Sequence, residues 1–222
     1  MKRPVLVLAS NSPRRRQLLA LAGWEFTVRP AEVDESPQPG EAPQDYVLRL
    51  AESKARACAQ AGVDGDILLA ADTTVSLDGD LLGKPTSPAQ ANAMLVRLRG
   101  RSHQVFTAIA LLQASSGQFH SDLCVTQVPM RDYSLDEIEA YVASGDPLDK
   151  AGAYAIQHLD FHPVEALAGC FASVMGLPLC HLQRSLESFG RVPPADLPSR
   201  CQASLDYACP VSRAILAGED VG

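Results

Sequence analysis

Two short runs constrain this chain most: residues 4–9, Pro-Val-Leu-Val-Leu-Ala, and Ile67–Ala71, Ile-Leu-Leu-Ala-Ala. Neither alternates polar with apolar positions, and each is bounded by polar or turn-forming residues, so each reads as a buried strand. Helical signals lie between and after them. Ser12-Pro13 supplies an N-cap and a first-turn proline, and Gly23 closes that helix. Residues 25–29 read as a second strand. Pro30 to Pro43 carries five proline or glycine breakers and reads as a loop. Tyr46 to Ala61 is helical and stops at Gly62. Asp78-Gly79 is a hairpin signal, and Ser87-Pro88 opens a helix that ends near Gly100. Residues 103–113 and 119–131 read as two long strands around a Ser115-Ser116-Gly117 turn. Ser134 and Glu137 form a capping box for a helix ending at Gly145, and residues 178–189 read as the last packed helix.

This order of elements predicts an α/β or α+β domain with a mixed sheet, and a helical lobe beside that sheet would leave a cleft between them. The domain spans residues 1–190. Beyond Gly190, Pro193, Pro194 and Pro198 break the pattern, so residues 191–222 are expected to be a partly ordered C-terminal extension.

Charge narrows the function. The formal net charge of the 222 residues is −7, which argues against a general nucleic-acid binder but not against a small nucleotide, which needs only a few local cations. The first apolar run is too short for a secretory h-region, and no run approaches the length of a membrane span, so the expected location is the cytoplasm. The expected partner is a nucleotide substrate, with no nucleic acid and no membrane; the sequence leaves homodimerisation open. The six cysteines include no C-x-x-C pair and read as small hydrophobes. A zinc site from Cys180-His181 with Cys201 and Cys209 fits no common finger spacing.

Four places break local rules. In Ser10-Asn11-Ser12-Pro13-Arg14-Arg15-Arg16, Arg14 and Arg15 occupy the first helical turn, at the positive end of the helix dipole, where cations are disfavoured. A bound anion would reverse that, gathering N–H groups, hydroxyls and guanidiniums; the plain alternative is a solvated basic turn. Lys54 sits in the middle of the apolar stripe Val47, Leu50, Ala51, Cys58, so it must snorkel, pair with a carboxylate or line a cleft. Asp72 follows the buried Ile67–Ala71 run and is placed at the carboxyl end of that strand, where open α/β sheets bind ligands and a carboxylate can act as base or metal ligand. It could instead start a turn, although Thr73-Thr74-Val75 continues the strand pattern. Lys84, between Gly83 and Pro85, sits on a rigid loop and is a weak phosphate-binding signal alone.

Together these segments resemble the Maf family. The matching stretches are Leu8–Arg15, Glu32-Val33-Asp34-Glu35, Ser53-Lys54-Ala55, Ala71-Asp72-Thr73, Gly83-Lys84-Pro85, Asp149–Gln157 and Val174–Leu179, in the family's order over about residues 5–190. The resemblance implies an α/β fold, α+β in its mixing, with a mixed twisted sheet, flanking helices and two lobes around a deep cleft; it implies a metal-dependent hydrolase, with Mg or Mn, that releases a nucleoside monophosphate and pyrophosphate. Carried over by position, it implies that Ser10, Arg14, Arg15, Lys54 and Lys84 hold the triphosphate, that Asp72 accepts a proton, and that Glu35, with Asp34 beside it and with Asp72, assists metal or water binding. Arg14, Thr73 and Gln157 resemble the branch acting on dTTP and UTP; the branch acting on 7-methyl-GTP carries tryptophan, glutamine and glutamate there. Ala155 stands where a glycine is usual, and His158–Val164 replaces a commoner glycine-rich stretch. The competing reading is a regulatory protein, linked to septum formation or cell division, that senses nucleotides without cleaving them.

Overall fold

The computed structural model describes residues 6–62 and 67–222. Strand β1 (Leu6–Leu8) is flanked by two parallel partners, β2 (Phe26–Val28) and β3 (Ile67–Leu77). Residues 4 and 5 of the expected first strand lie outside the described residues. The sheet has six strands in the order β2-β1-β3-β5-β6; β4 (Asp80–Leu82) also pairs with β3. β5 (Ser102–Gln113) and β6 (Phe119–Pro129) extend the sheet antiparallel, which makes it mixed, as the element order predicts.

Side chains of β3 divide by parity between the two faces. Leu68 and Ala70 pack with Val47, Ala51, Ala55 and Cys58 of helix α2 (Pro43–Gln60). Ile67, Leu69 and Ala71 pack into a larger core on the opposite face with α1 (Pro13–Ala20), α3 (Pro88–Leu98), α4 (Leu135–Ala143) and α6 (Leu179–Glu187). Both faces are covered, which is why this strand reads as an unbroken apolar run. The expected caps are present: Ser12 accepts from the Arg15 N–H, Ser87 from the Gln90 N–H, and Ser134 with Glu137 closes a capping box.

Three expectations change. Helix α2 begins at Pro43, three residues before the expected start, because proline is suited to a first turn and Ala42 is already extended. β3 does not end near Asp72. It runs to Leu77 because β5 pairs with it as far as Ser76↔Gln104. Helix α6 is not the last packed helix. Beyond it, α7 (Leu197–Leu205) and α8 (Ser212–Leu216) bury Leu197 and Ile215 completely, and the Tyr207 hydroxyl donates to the Leu167 and Gly169 carbonyls. A short helix absent from the sequence reading, α5 (Phe171–Val174), packs on β5. No helix among the described residues is long and apolar enough to cross a membrane.

Pairing along β3 locates the cleft. One edge is continuously paired with β5. On the other, β1 covers Ile67–Leu69 and β4 covers Val75–Leu77. Among the described residues, 70–74 have no strand partner on that edge, and Asp72 is at the middle of the gap. The chain leaving β1 (Ala9 to Arg15) and the chain leaving β2 (Pro30 to Glu35) both border the opening, so the ends of the two parallel strands and the gap in β3 define one site.

Candidate active site

A cleft of about 400 Å³ opens at this gap. Ser10, Arg14, Arg15, Glu35, Lys54, Thr73, Lys84 and Gln157 all line it. Asp72 lies behind Lys54, with a side chain 10% exposed. Asp34 stands apart: it is exposed, accepts from the Ser36 N–H at 2.9 Å and does not line the cleft.

Parity places Asp72 on the α2 face, continuing the row Leu68–Ala70. Lys54, one turn past Leu50 and Ala51 on the buried stripe of α2, meets it there: Nζ lies 2.5 Å from Asp72 Oδ1 and 2.6 Å from Glu35 Oε1. Lys54 therefore pairs with carboxylates rather than snorkelling to solvent. Burial pushes the Asp72 carboxyl above the usual carboxylate range, opposed by the charges of Lys54 and Arg15 and the hydrogen bond from Lys54. Burial would also raise Glu35, but the hydrogen bond and charge of Lys54, with the charges of Lys84 and Arg15, hold it below its ordinary value.

Thr73 faces the other side of the sheet, yet it borders the same cleft because the edge beside it is open. Arg15 reaches this side from the first turn of α1. Its Nε donates to the Gly176 carbonyl at 2.8 Å, Nη1 to Ser10 Oγ at 3.3 Å and Nη2 to Thr73 Oγ1 at 3.2 Å. All three acceptors are neutral. Burial pulls the Arg15 pKa down, while Asp72 supports the charge from a distance and Arg14 opposes it. Arg15 is half-buried at a helix N-terminus, and among the described residues no carboxylate is in hydrogen-bond contact with it, an arrangement that suits an external anion. Gly176 has φ of +110°, so a side chain there would be strained, and its Cβ would stand in contact with Arg15 Nε and Thr73 Oγ1, 3.4 Å from each.

On the opposite rim, Arg14 Nη1 lies 3.5 Å from Asp149 Oδ2, and Lys150 is neutralised by Asp146 and Asp149. The segment that departs from the resemblance is anchored at Phe161 and Pro163, which are buried, while Leu159 between them and Gln157 is exposed. Phe161 stacks on Tyr141 at 4.3 Å, His158 meets the same ring edge-on, and the Ala155 N–H donates to Tyr141 Oη at 3.0 Å. This aromatic packing supports the backbone leading to Gln157. The sequence reading missed Thr107 and Ser173 and quoted Gly176 only within the Val174–Leu179 resemblance; Thr107 bonds to Thr73 and to the Ser173 carbonyl, and the Gly176 carbonyl accepts from Arg15. A threonine in an apolar strand and a glycine before Leu-Pro give no signal alone.

Cys170, Cys180, Cys201 and Cys209 line a separate apolar cavity of about 10 Å³ between α6 and α7, and all are free thiols. Among the described residues, no group of three or more His, Cys, Asp or Glu side chains is arranged to hold a metal ion by itself.

Residues 5–189 match the sequence profile of the family described as Maf-like protein. The dTTP/UTP pyrophosphatase of Methylococcus capsulatus (strain ATCC 33009 / NCIMB 11132 / Bath) is 49% identical over 187 residues, covering 83% of this chain and 91% of that protein. The dTTP/UTP pyrophosphatase of Moorella thermoacetica is 48% identical, covering 83% and 95%, and that of Hahella chejuensis 47% identical, covering 83% and 92%. A solved structure of the Staphylococcus aureus Ham1 protein aligns with 17% identity and a TM-score of 0.42 over 58% of this chain and 72% of that one, a likeness too slight to bear on the site.

Proposed function

The chain belongs to the Maf family and is a nucleoside triphosphate pyrophosphatase, and on that premise we propose that it hydrolyses dTTP, UTP and modified pyrimidine nucleotides to the monophosphate and pyrophosphate, as a cleaner of the nucleotide pool. One observation carries the reading of the site: Arg15, Lys54 and Lys84 converge with Asp72 and Glu35 at the gap in β3. Cations alone would bind an anion. Cations beside a buried carboxylate with a raised pKa can also move a proton.

In this reading Ser10, Arg14, Arg15 and Lys84 hold the triphosphate, and the cations among them stabilise charge developing on the departing pyrophosphate. Asp72 takes the proton of the attacking water. Its burial raises its proton affinity, which strengthens it as a base, and the charges of Lys54 and Arg15 oppose that rise. Thr73 and Gln157 border the base.

Magnesium or manganese is the proposed cofactor. The donor set fits: Glu35 and Asp72 both approach Lys54 Nζ and would hold the ion, and an ion of this kind needs only one or two carboxylates when phosphate oxygens and water complete its shell. When bound, it would neutralise phosphate charge and acidify water.

The deciding experiment is a panel of nucleoside triphosphates with Mg or Mn, scored for pyrophosphate. Release from dTTP and UTP ahead of the purine triphosphates supports the reading; a preference for a purine triphosphate defeats it.

A further inference from the structure

We propose that Thr107, a fully buried threonine on β5, is a positioning residue for the triphosphate site, because it fixes the direction of the hydrogen bonds that hold Arg15. This deepens the pyrophosphatase reading and rests on it.

The directions follow from hydrogen counting. Thr107 Oγ1 lies 2.9 Å from the Ser173 carbonyl, which can only accept, so the one hydroxyl hydrogen of Thr107 is used there. Thr73 stands opposite Thr107 in the antiparallel ladder, with the two Oγ1 atoms 3.0 Å apart. Since Thr107 has no second hydrogen, Thr73 must be the donor in that pair. Thr73 Oγ1 is then left with lone pairs only, one of which accepts from Arg15 Nη2 at 3.2 Å.

The chain of bonds therefore runs one way, from Arg15 to Thr73 to Thr107 to the α5 backbone. Thr73 can accept from a ligand but cannot donate to one. Arg15 has five N–H groups, of which three are engaged by Gly176, Ser10 and Thr73, leaving one on each terminal nitrogen for a phosphate. A two-point contact of this kind depends on the plane of the guanidinium, and no carboxylate holds that plane. Without Thr107, the Thr73 hydroxyl is free to rotate and present its hydrogen to Arg15, which removes one of the three supports.

The test is Thr107→Val, which keeps shape and loses the hydroxyl, beside Thr107→Ser, which keeps the hydroxyl and loses a methyl group. Two quantities are read for each: kcat/KM on the best triphosphate, and Kd for an analogue with a methylene bridge between the α and β phosphates. Thr107→Val is expected to lower kcat/KM and weaken the analogue by about tenfold each, the scale of one misplaced charge-assisted hydrogen bond. Thr107→Ser is expected to melt lower yet stay within about twofold of wild type in both. The double variant with Thr73→Val is expected to be no worse than Thr73→Val alone, since the two side chains act in series. Wild-type kinetics and binding in Thr107→Val, additive losses in the double variant, or equal losses in Ser and Val would overturn the proposal. If Thr107→Val does not fold, Thr107→Cys, with a weak thiol in place of the hydroxyl, takes its place with the same expectations. The analogue binds without being cleaved, so its Kd tests Thr107 even if the pyrimidine panel fails, and the two failures are told apart.

Discussion

Lys54 Nζ lies 2.5 Å from Asp72 Oδ1, although the two side chains come from elements on different layers: α2 against one face of the sheet, β3 within it. The contact needs two periodicities to agree. The 3.6-residue stripe of α2 must point Lys54 at the sheet, and the two-residue alternation of β3 must turn Asp72 toward α2 rather than toward the core where Ala71 points. A charge on each side of one packed interface is costly unless the charges meet. They meet at the stretch of β3 that β1 and β4 leave uncovered, beside the cleft that Lys54 lines, which is where the proposed mechanism uses them.

Asp72→Asn is expected to lower kcat by about 10²–10⁴-fold while analogue binding is largely kept, because asparagine preserves the shape and removes the base. Single-turnover rates together with calorimetric Kd values measure the split. Turnover near wild type would remove Asp72 from the mechanism.

Lys54→Met fills the apolar stripe but leaves Asp72 buried with no partner closer than the charge of Arg15. Its folded pKa, already raised by burial, rises further above the unfolded value. A raised carboxyl gives stability that is present at low pH and lost as pH climbs. The variant should be less stable than wild type by about 3 kcal/mol at pH 8, with a smaller deficit at pH 5. Urea midpoints at the two pH values measure this. A deficit that does not change with pH would mean that the loss comes from packing, not from the Asp72 charge.

His103 supplies a pH dependence away from the cleft. Burial lowers its pKa from 6.5 to about 4, and its Nε2 shares a 2.8 Å hydrogen bond with Tyr154 Oη. The folded state resists a proton that the unfolded chain accepts, so stability falls as pH drops from 6.5 toward 4. The slope should approach about 1.4 kcal/mol per pH unit, about 3 kcal/mol in all. Glu41 and Glu137, both held near 2 by arginine hydrogen bonds, act in the same direction but only below about pH 4.5. Chemical denaturation from pH 7 to 4.5 should show the slope in wild type and its absence in His103→Gln. A persisting slope in the variant would assign it elsewhere.

The parts of the site that obey local rules were legible in the sequence. Ser12 as a cap, the arginines in the first turn and a lysine inside an apolar stripe are visible because helix geometry is local. Asp72 was found but placed at a strand end, since where β1 stops relative to β3 depends on strand register, which no single segment encodes. Glu35 sits in an irregular loop without periodicity and was reached through resemblance alone. Thr107 and Ser173 gave no signal, because their role depends on facing Thr73 across a ladder and beneath a short helix. Residues 191–222 looked weakly ordered because prolines interrupt them. Their helices dock on α6 through Leu197 and Ile215, contacts that exist only in the folded chain.

The proposed base preference is argued from the rim. Gln157 lines the cleft just after a backbone anchored by the Ala155 N–H bond to Tyr141, and the aromatic cluster of Tyr133, Tyr141 and Phe161 supports that anchor. Alanine in place of the usual glycine at 155 is accommodated, since its side chain is nearly buried and its N–H is satisfied. A glutamine amide both donates and accepts, which suits a pyrimidine edge carrying carbonyls beside an N–H; a glutamate only accepts, which suits the donor face of a guanine. Thr73, restricted to accepting, cannot compensate for a lost donor. Gln157→Glu is therefore expected to lower kcat/KM on dTTP and UTP by about 10–100-fold, as a carboxylate meets a carbonyl it cannot bond, and to narrow the gap to 7-methyl-GTP. Wild type should turn over dTTP and UTP far faster than 7-methyl-GTP. Competition assays with all three nucleotides in one vessel measure both ratios directly. If 7-methyl-GTP wins in wild type, or if Gln157→Glu leaves the ratio unchanged, the base is read by residues other than Gln157.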